Sequence, residues 1–395
     1  MLSSRVSRLS ISQTLAIVEK VRELQKQGMT VYDMSVGEPD HPSPPEVKEA
    51  GRQAISDDFT RYTAAAGIIE LRQAIVEKLK RDNNLEYTPK QIVVGNGAKH
   101  ILSGTLLALV DPGDEVIVPE PCWLSYPEMI WLAGGEVIFA PTKVEDGFHL
   151  RAEVLERLIS PRTKAVLLNS PCNPTGSVMS KKDMDEIAEV LKRHRAYIIS
   201  DEIYEYLRFD GREHYSFAQY PWLSDRTIVV NGVSKSYSMT GWRIGYGAGP
   251  SEVMDAVLKI QSQMTSSACS ISQKAALAGL KAGLGYPQKM CADFARRRDI
   301  CYDGLKNIPG VNVPKPEGAF YAFPQIPSVM TGSVNGKPLK DSSGLVNYLL
   351  EEYHVAAVPG GAFRAPDCIR ISFASSDDAV REAVKRIASA VTDIK

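Results

Sequence analysis

The chain has 395 residues, of which 44% are hydrophobic and 24% charged, with 46 Lys and Arg against 47 Asp and Glu. Such a length suits two closely packed domains around a deep core, and the near-neutral charge argues against nucleic acid or a membrane surface as a partner. Cysteines at Cys122, Cys172, Cys269, Cys291, Cys301 and Cys368 form no C-x-x-C pair, and the histidines show no H-x-x-x-H or H-E-x-x-H spacing, so reduced thiols and no metal are expected.

The N-terminal run MLSSRVSRLSISQTLAIVEK carries charge and no apolar stretch long enough for a secretory signal. No later stretch approaches eighteen uninterrupted apolar residues, so a cytoplasmic protein without a membrane-spanning helix is expected. Apolar positions at helical spacing over 14–27 stop at Gly28, and TVYDMSVGEPDHPSPP then reads as a short strand and a Pro-broken loop. From about residue 44, helical stretches at 68–82, 98–110, 124–133 and 181–194 alternate with apolar runs: QIVV at 91–94, EVIVP at 115–119, KAVLLN at 164–169, AYIIS at 196–200 and TIVVN at 227–231. Short β-rich runs between helices predict a mainly parallel α/β sheet covered on both faces.

Beyond residue 295 the rhythm changes to a charged helix (FARRRDICYDGLKN), the run AFYAF, a helix at 343–352, the strand CIRISFA and a final helix. The pattern predicts a large domain at 44–295 and a smaller α+β domain made of 1–43 and 296–395. With no repeat, low-complexity linker or charge block, any disordered arm is expected to be confined to the first few residues.

Ligands of open parallel sheets gather at the carboxyl ends of strands. QIVV leads into Gly95-Asn96-Gly97-Ala98-Lys99, a turn entering a helix, where free N–H groups and the helix dipole can hold a phosphate; taken alone, such turns are common. AYIIS ends at Asp201, which is either a turn or capping residue or a carboxylate that keeps a heterocyclic nitrogen protonated. TIVVN leads into Lys235 in a Ser/Gly-rich loop, where an unpaired ammonium is costly to desolvate and Schiff-base formation would neutralise it.

With SVGEPD, YTAAAGIIELR, NSPCNPTG, SDEIYE, SKSYSMTGWRIGY and CIRISFA in that order, the chain resembles the class I/II aminotransferases of pyridoxal phosphate (PLP) fold type I over nearly its whole length, most of all their bacterial aspartate aminotransferase branch. The resemblance implies a large domain with a mainly parallel sheet sandwiched by helices, plus a smaller α+β domain. It implies PLP held as a Schiff base on Lys235, whose released amine moves a proton between the substrate Cα and the cofactor C4′. Asp201 would pair with the ring nitrogen, Asn173 and Tyr204 would bond the phenolic oxygen, and Trp123 would stack on the ring unless it is plain core. Phosphate anchoring would fall to the backbone at Gly97 and Ala98, to Ser234 and to Arg243, and Tyr62 would reach the phosphate of a neighbouring subunit, which implies a homodimer with shared sites. Arg370, inside an apolar strand pattern, would grip the substrate α-carboxylate as Gly37 lets the backbone approach it, while Glu38-Pro39-Asp40 looks structural.

Lys99 in Gly97-Ala98-Lys99-His100 is the specificity residue: it is either a solvated or phosphate-facing charge or the cation for a side-chain carboxylate, as the same segment is in the aspartate branch. The second reading predicts a ping-pong exchange, L-aspartate + 2-oxoglutarate giving oxaloacetate + L-glutamate. Cys122 stands where many relatives have tyrosine and could widen the pocket, which leaves aromatic amino acids or prephenate open. A lyase or synthase of the same fold also stays open, since it begins from the same Cα carbanion. An effector-sensing module would need an appended DNA-binding domain.

Overall fold

The computed structural model describes residues 3–10 and 13–395; the expectation about a disordered arm falls partly on residues 1 and 2, outside the described residues. A short strand β1 (Tyr32–Asp33) precedes a seven-stranded sheet. Its strands are β2 (Ile92–Gly95), β3 (Glu115–Glu120), β4 (Glu136–Pro141), β5 (Thr163–Asn169), β6 (Tyr197–Asp201), β7 (Thr227–Gly232) and β8 (Gly245–Ala248), in the order β2-β8-β7-β6-β5-β3-β4. β4, β3, β5, β6 and β7 run parallel, and β8 is antiparallel to both β7 and β2. The sheet is therefore mixed and mostly parallel, as the alternation of helices and apolar runs predicts.

Side chains alternate across the sheet with period two. Val116 and Val118 of β3, with Ala165 and Leu167 of β5, join one apolar layer that includes Ile101, Leu106 and Ile130. Ile117, Val166 and Leu168 join the opposite layer with Leu155 and Ile187. Helices on both faces explain why these strands read as continuous apolar runs. β8 escapes the sequence reading because GYGA has almost no β-forming side chain. Its glycines serve close approach instead: a Cβ on Gly245 would lie 2.2 Å from the Ala98 nitrogen, and one on Gly247 would lie 2.8 Å from the Ile101 side chain.

A second layer is built from strand β9 (Tyr321–Ala322), which pairs antiparallel with Ile369–Ser372, itself antiparallel to Val358–Pro359. β1 pairs parallel with Val355–Ala356 and so ties the N-terminal segment into this layer. Its core gathers Phe294, Leu305, Phe320, Leu349, Ile371, Phe373 and Ile387 from three helices and the sheet. The charged helix predicted from residue 294 in fact starts at Gly285 and runs to Leu305. Gly285 and Pro287 hide its first turn, where a proline forfeits no intrahelical N–H bond.

His149 links two distant parts of the chain. Its Nδ1 lies 3.3 Å from Asp183, at the start of the helix Lys181–Lys192, and its Nε2 lies 3.3 Å from Glu317, just before β9. Its bond to Asp183, then that to Glu317, holds the imidazolium up to about 9, against burial. A histidine with a raised folded-state pKa stabilises fully below its ordinary value near 6.5, and the contribution disappears as pH rises through about 9. His149→Gln is expected to lower unfolding stability by about 1–3 kcal/mol at pH 6 and by much less at pH 10. Denaturant titrations of variant and wild type at the two pH values measure this; an equal loss at both would show that the ionic contribution is absent.

Candidate active site

Parallel strands end side by side, so the sheet collects polar residues along one edge. Asn169 ends β5 in register with Asp201 at the end of β6, and β7 ends at Gly232, just before the Lys235 loop. A cavity of about 680 Å³ opens over this edge and is closed on the other side by the second layer. Asp201, Tyr204, Lys235, Asn173, Trp123, Ala98, Lys99, Ser234, Arg243, Gly37 and Arg370 all line it. Gly97 stands directly behind Ala98 and outside the lining, while Tyr62 is 91% exposed and away from this cavity.

Lys235 is half-buried, and its Nζ donates to the Gly37 carbonyl at 2.5 Å. Burial lowers its ammonium to about 8; Glu38 and Asp201 resist the shift, and Arg370 and Arg243 reinforce it. An ammonium in this range gives up its proton only a little above neutral pH, so its amine is far more accessible as a base than that of an ordinary lysine. Asp201 is 3% exposed, accepts the Tyr126 hydroxyl on Oδ2 at 2.7 Å and accepts the Ile203 N–H on Oδ1 at 3.2 Å. Burial pushes its carboxyl up to about 6 although both bonds oppose that shift.

Arg370, 3% exposed in the strand Ile369–Ser372, donates Nη2 to the Ser35 carbonyl at 2.8 Å and Nη1 to Asn173 Oδ1 at 3.0 Å. Its guanidinium lies 4.4 Å from the Tyr321 ring centroid, and its buried Nε has no protein partner. Asn173 therefore uses its amide oxygen on Arg370 and keeps its NH₂ free to donate, and its own N–H is held by Asn169 Oδ1 at 2.9 Å. The Tyr204 hydroxyl lies 3.0 Å from the Tyr321 hydroxyl.

At the other end of the cavity, the helix Ala98–Leu109 presents its first turn. Gly97 has φ +86°, and a Cβ there would lie 2.6 Å from Arg243 Nη2, so glycine is what lets this guanidinium reach the turn. The Gly97 N–H is already spent on the Gly95 carbonyl at 2.8 Å, whereas Ala98 and Lys99 begin the helix, where N–H groups have no carbonyl one turn back. Arg243 donates Nη1 to the Thr240 carbonyl at 2.6 Å, and Thr240 Oγ1 donates to Glu38 Oε2 at 2.6 Å. Lys99 is an exposed residue, yet its Nζ leans 4.8 Å over the Trp123 ring centroid, and its ammonium is held below the usual lysine value by partial burial and then by Arg243.

Several lining residues carry no sequence signal of function. Tyr126 is buried in the helix Ser125–Ala133 and meets Trp123 edge-on at 5.3 Å, and Tyr321 lies in AFYAF, which reads as core. Glu38, read as structural, lines the cavity, and so do Val21, Arg22 and Gln25 from the helix Gln13–Lys26. Cys122 is buried beside Trp123, and burial raises its thiol far out of the nucleophilic range.

Among the described residues, Glu202, Glu205 and His214 bring ligating atoms within 4.8 Å of one another. Each carboxylate is already served by the protein. Glu202 takes Ser200, Ser216 and His214, and Glu205 takes Lys78, Asn83 and Asn231. The cluster is a buried hydrogen-bonded ion network.

The residues fit a phosphorylated ring cofactor. The volume suits a small-molecule site, an arginine and open helix N–H groups converge at one end, and a buried carboxylate and a depressed lysine stand beyond them. Comparison with known proteins gives the same direction. Residues 30–387 match the family model described as aminotransferase class I and II. The chain is 46% identical to an aspartate/prephenate aminotransferase of Cereibacter sphaeroides, over 98% of this chain and 97% of that one. It is 42% identical to an aspartate aminotransferase of Geobacillus stearothermophilus, over 98% of each. The crystal structure of an aspartate aminotransferase from Rhizobium meliloti superposes with a TM-score of 0.95 at 41% identity, covering all of both chains. This chain belongs to the class I and II aminotransferase family.

Proposed function

We propose that the protein is a PLP-dependent aminotransferase exchanging the amino group between L-aspartate and 2-oxoglutarate. The observation that carries this reading is the convergence of Lys235, Asp201 and Arg370 on one cavity with the Lys99 ammonium at the Trp123 face. Bound there, PLP supplies the electron sink that makes the substrate Cα–H acidic. Arg370, which lines the cavity, takes the α-carboxylate on its guanidinium. Lys235, lowered to about 8, accepts the proton leaving Cα and delivers it to C4′. Asp201 supplies a negative charge toward the ring nitrogen. Asn173 through its free NH₂, and Tyr204 through a hydroxyl backed by Tyr321, donate to the phenolic oxygen. Arg243, Ser234 and the N–H groups at Ala98 and Lys99 hold the phosphate, with Gly97 clearing space for Arg243.

Tyr62, an aromatic side chain left in water by a single subunit, reaches the phosphate of a second copy in this reading, which makes the working unit a homodimer. Residues 1–43 and 296–395 act as the smaller domain against 44–295. The six unpaired cysteines suit a reducing cytoplasm; among the described residues no helix is long and apolar enough to cross a membrane.

Lys99 binds the side-chain carboxylate of the substrate. Lys99→Met is expected to lower kcat/KM for aspartate about 10- to 100-fold and to leave that for alanine within about 3-fold, because only the former loses a charge pair. Steady-state assays with both donors decide it: equal losses would remove Lys99 from specificity. Prephenate belongs in the same assay as an alternative acceptor, since the Cereibacter relative carries that activity in its name.

A further inference from the structure

We propose that Tyr126 is a positioning residue for amino transfer, its hydroxyl fixing the charge and orientation of the Asp201 carboxylate that serves the cofactor's ring nitrogen. The proposal rests on the reading of Asp201 as that nitrogen's partner. A carboxylate oxygen has room for two donors. Among the described hydrogen bonds, Asp201 Oδ2 accepts only Tyr126, at 2.7 Å, and Oδ1 accepts only the Ile203 N–H, at 3.2 Å. The Tyr126 hydroxyl is the shorter bond and, among the described residues, the only side-chain donor. Its ring is 2% exposed and locked edge-on against Trp123 at an interplanar angle of 89°, while its own N–H is tied to the Trp123 carbonyl at 3.0 Å. One rigid unit thus joins the residue read as the ring-stacking platform to the carboxylate at the ring's edge.

The groups that face Asp201 make this donor decisive. Lys235, from the loop after β7, favours the charged form. Glu202 beside it opposes that form, and the Tyr204 phenol and the Cys172 thiol, from the segments after β6 and β5, stay neutral because burial raises both. Burial itself works against the carboxylate, and the Tyr126 bond is the largest influence that counters it. The Tyr126 phenol is held well above its ordinary value by burial and by Asp201, so it remains a donor throughout the working pH range. Without it, one proton between the ring nitrogen and Asp201 redistributes toward Asp201: the N–H bond of the ring breaks, an O–H bond forms on the carboxylate, and the ring loses its pull on the Cα electrons.

The test uses holoenzyme loaded with PLP carrying ¹⁵N in the ring, compared as wild type, Tyr126→Phe, Asp201→Asn and the double variant. The ring-nitrogen NMR shift is expected to read protonated in wild type at pH 7.5 and unprotonated in Asp201→Asn. In Tyr126→Phe it should move clearly toward the unprotonated value and recover as pH is lowered. The same variant should lose about 10-fold in kcat with KM for aspartate nearly unchanged, and adding Tyr126→Phe to Asp201→Asn should cost less than about 2-fold. Tyr126→His, which restores an N–H donor, should regain part of the protonated signal and guards against a folding defect in the phenylalanine variant. A protonated shift in Tyr126→Phe overturns the role of Tyr126 while the reading of Asp201 stands; a protonated shift in Asp201→Asn overturns both.

Discussion

Lys235→Ala is expected to abolish amino transfer, with a loss of at least about 10⁴-fold in the rate of the aspartate half-reaction, because among the described residues no side chain beside the Lys235 amine can take over the proton transfer. The expectation follows from what surrounds the Lys235 amine. Its Nζ donates to the Gly37 carbonyl and lies 5.9 Å from the ring centroids of both Tyr204 and Phe320, so its neighbours are a carbonyl, which cannot take up a proton, and two rings. Tyr204 is no substitute, since burial and the Tyr321 hydroxyl hold its phenol far above the usual tyrosine value. Asp201 cannot serve either in this reading, since its carboxylate, aimed by Tyr126 and the Ile203 N–H, faces the ring nitrogen and not the substrate Cα. The loss should fall on the chemical step and not on occupancy, because Arg243, Ser234 and the helix turn at Ala98 remain. Mixing PLP-loaded variant with aspartate in a single turnover, and following the cofactor spectrum, separates the two: bound cofactor that reacts more than about 10⁴ times more slowly meets the expectation. A variant that keeps a tenth of the wild-type rate would place the base elsewhere. Small primary amines should restore part of the rate, with efficiency rising with pH as the added amine deprotonates.

How far the chain could be read before its structure was known depends on whether a feature is written locally. The runs that became β2, β3, β5, β6 and β7 carry branched apolar residues on both faces; β5 and β6 end in Asn169 and Asp201, which line the cavity, and β7 leads into the loop of Lys235, so the strand-end argument points to Asp201 and Lys235. β8 is different: the glycines of GYGA allow closeness to Ala98 and Ile101, a property of two segments together. Tyr126 and Tyr321 fall in the same class. Each looks like core in its own segment, and each becomes part of the site only through a hydroxyl meeting a residue 75 or 117 positions away. The branched helix-to-strand rhythm also hid the start of the helix Gly285–Leu305, because glycine and proline mark breaks everywhere except in a first turn. Lys99 shows the reverse limit: its segment points to an anion, but its place over the Trp123 ring is a contact between two segments that the sequence does not write.

The second large effect is expected at Arg370. Arg370→Leu should lower kcat/KM for aspartate by about 10²- to 10³-fold, corresponding to the 2–5 kcal/mol typical of truncating one member of a buried hydrogen-bonded charge pair. The guanidinium reaches the cavity from the middle of a strand, stacks over Tyr321 and Phe363, and spends Nη1 and Nη2 on Asn173 and the Ser35 carbonyl. Those bonds aim the guanidinium, which lines the cavity where a carboxylate can reach it. Leucine removes the carboxylate site and frees the Asn173 amide oxygen, so both KM and kcat should worsen, in contrast to Tyr126→Phe, which should act on kcat alone. Arg370→Lys should recover little, because a lysine cannot bridge Asn173, Ser35 and a carboxylate in one plane. A substrate analogue decides whether the lost interaction is with the α-carboxylate: an amine lacking that group should react slowly with wild type and no more than about 3-fold more slowly with Arg370→Leu. If the analogue suffers the same 10²-fold or greater loss, Arg370 acts by holding Asn173 and the cavity wall in place, and the α-carboxylate must bind elsewhere.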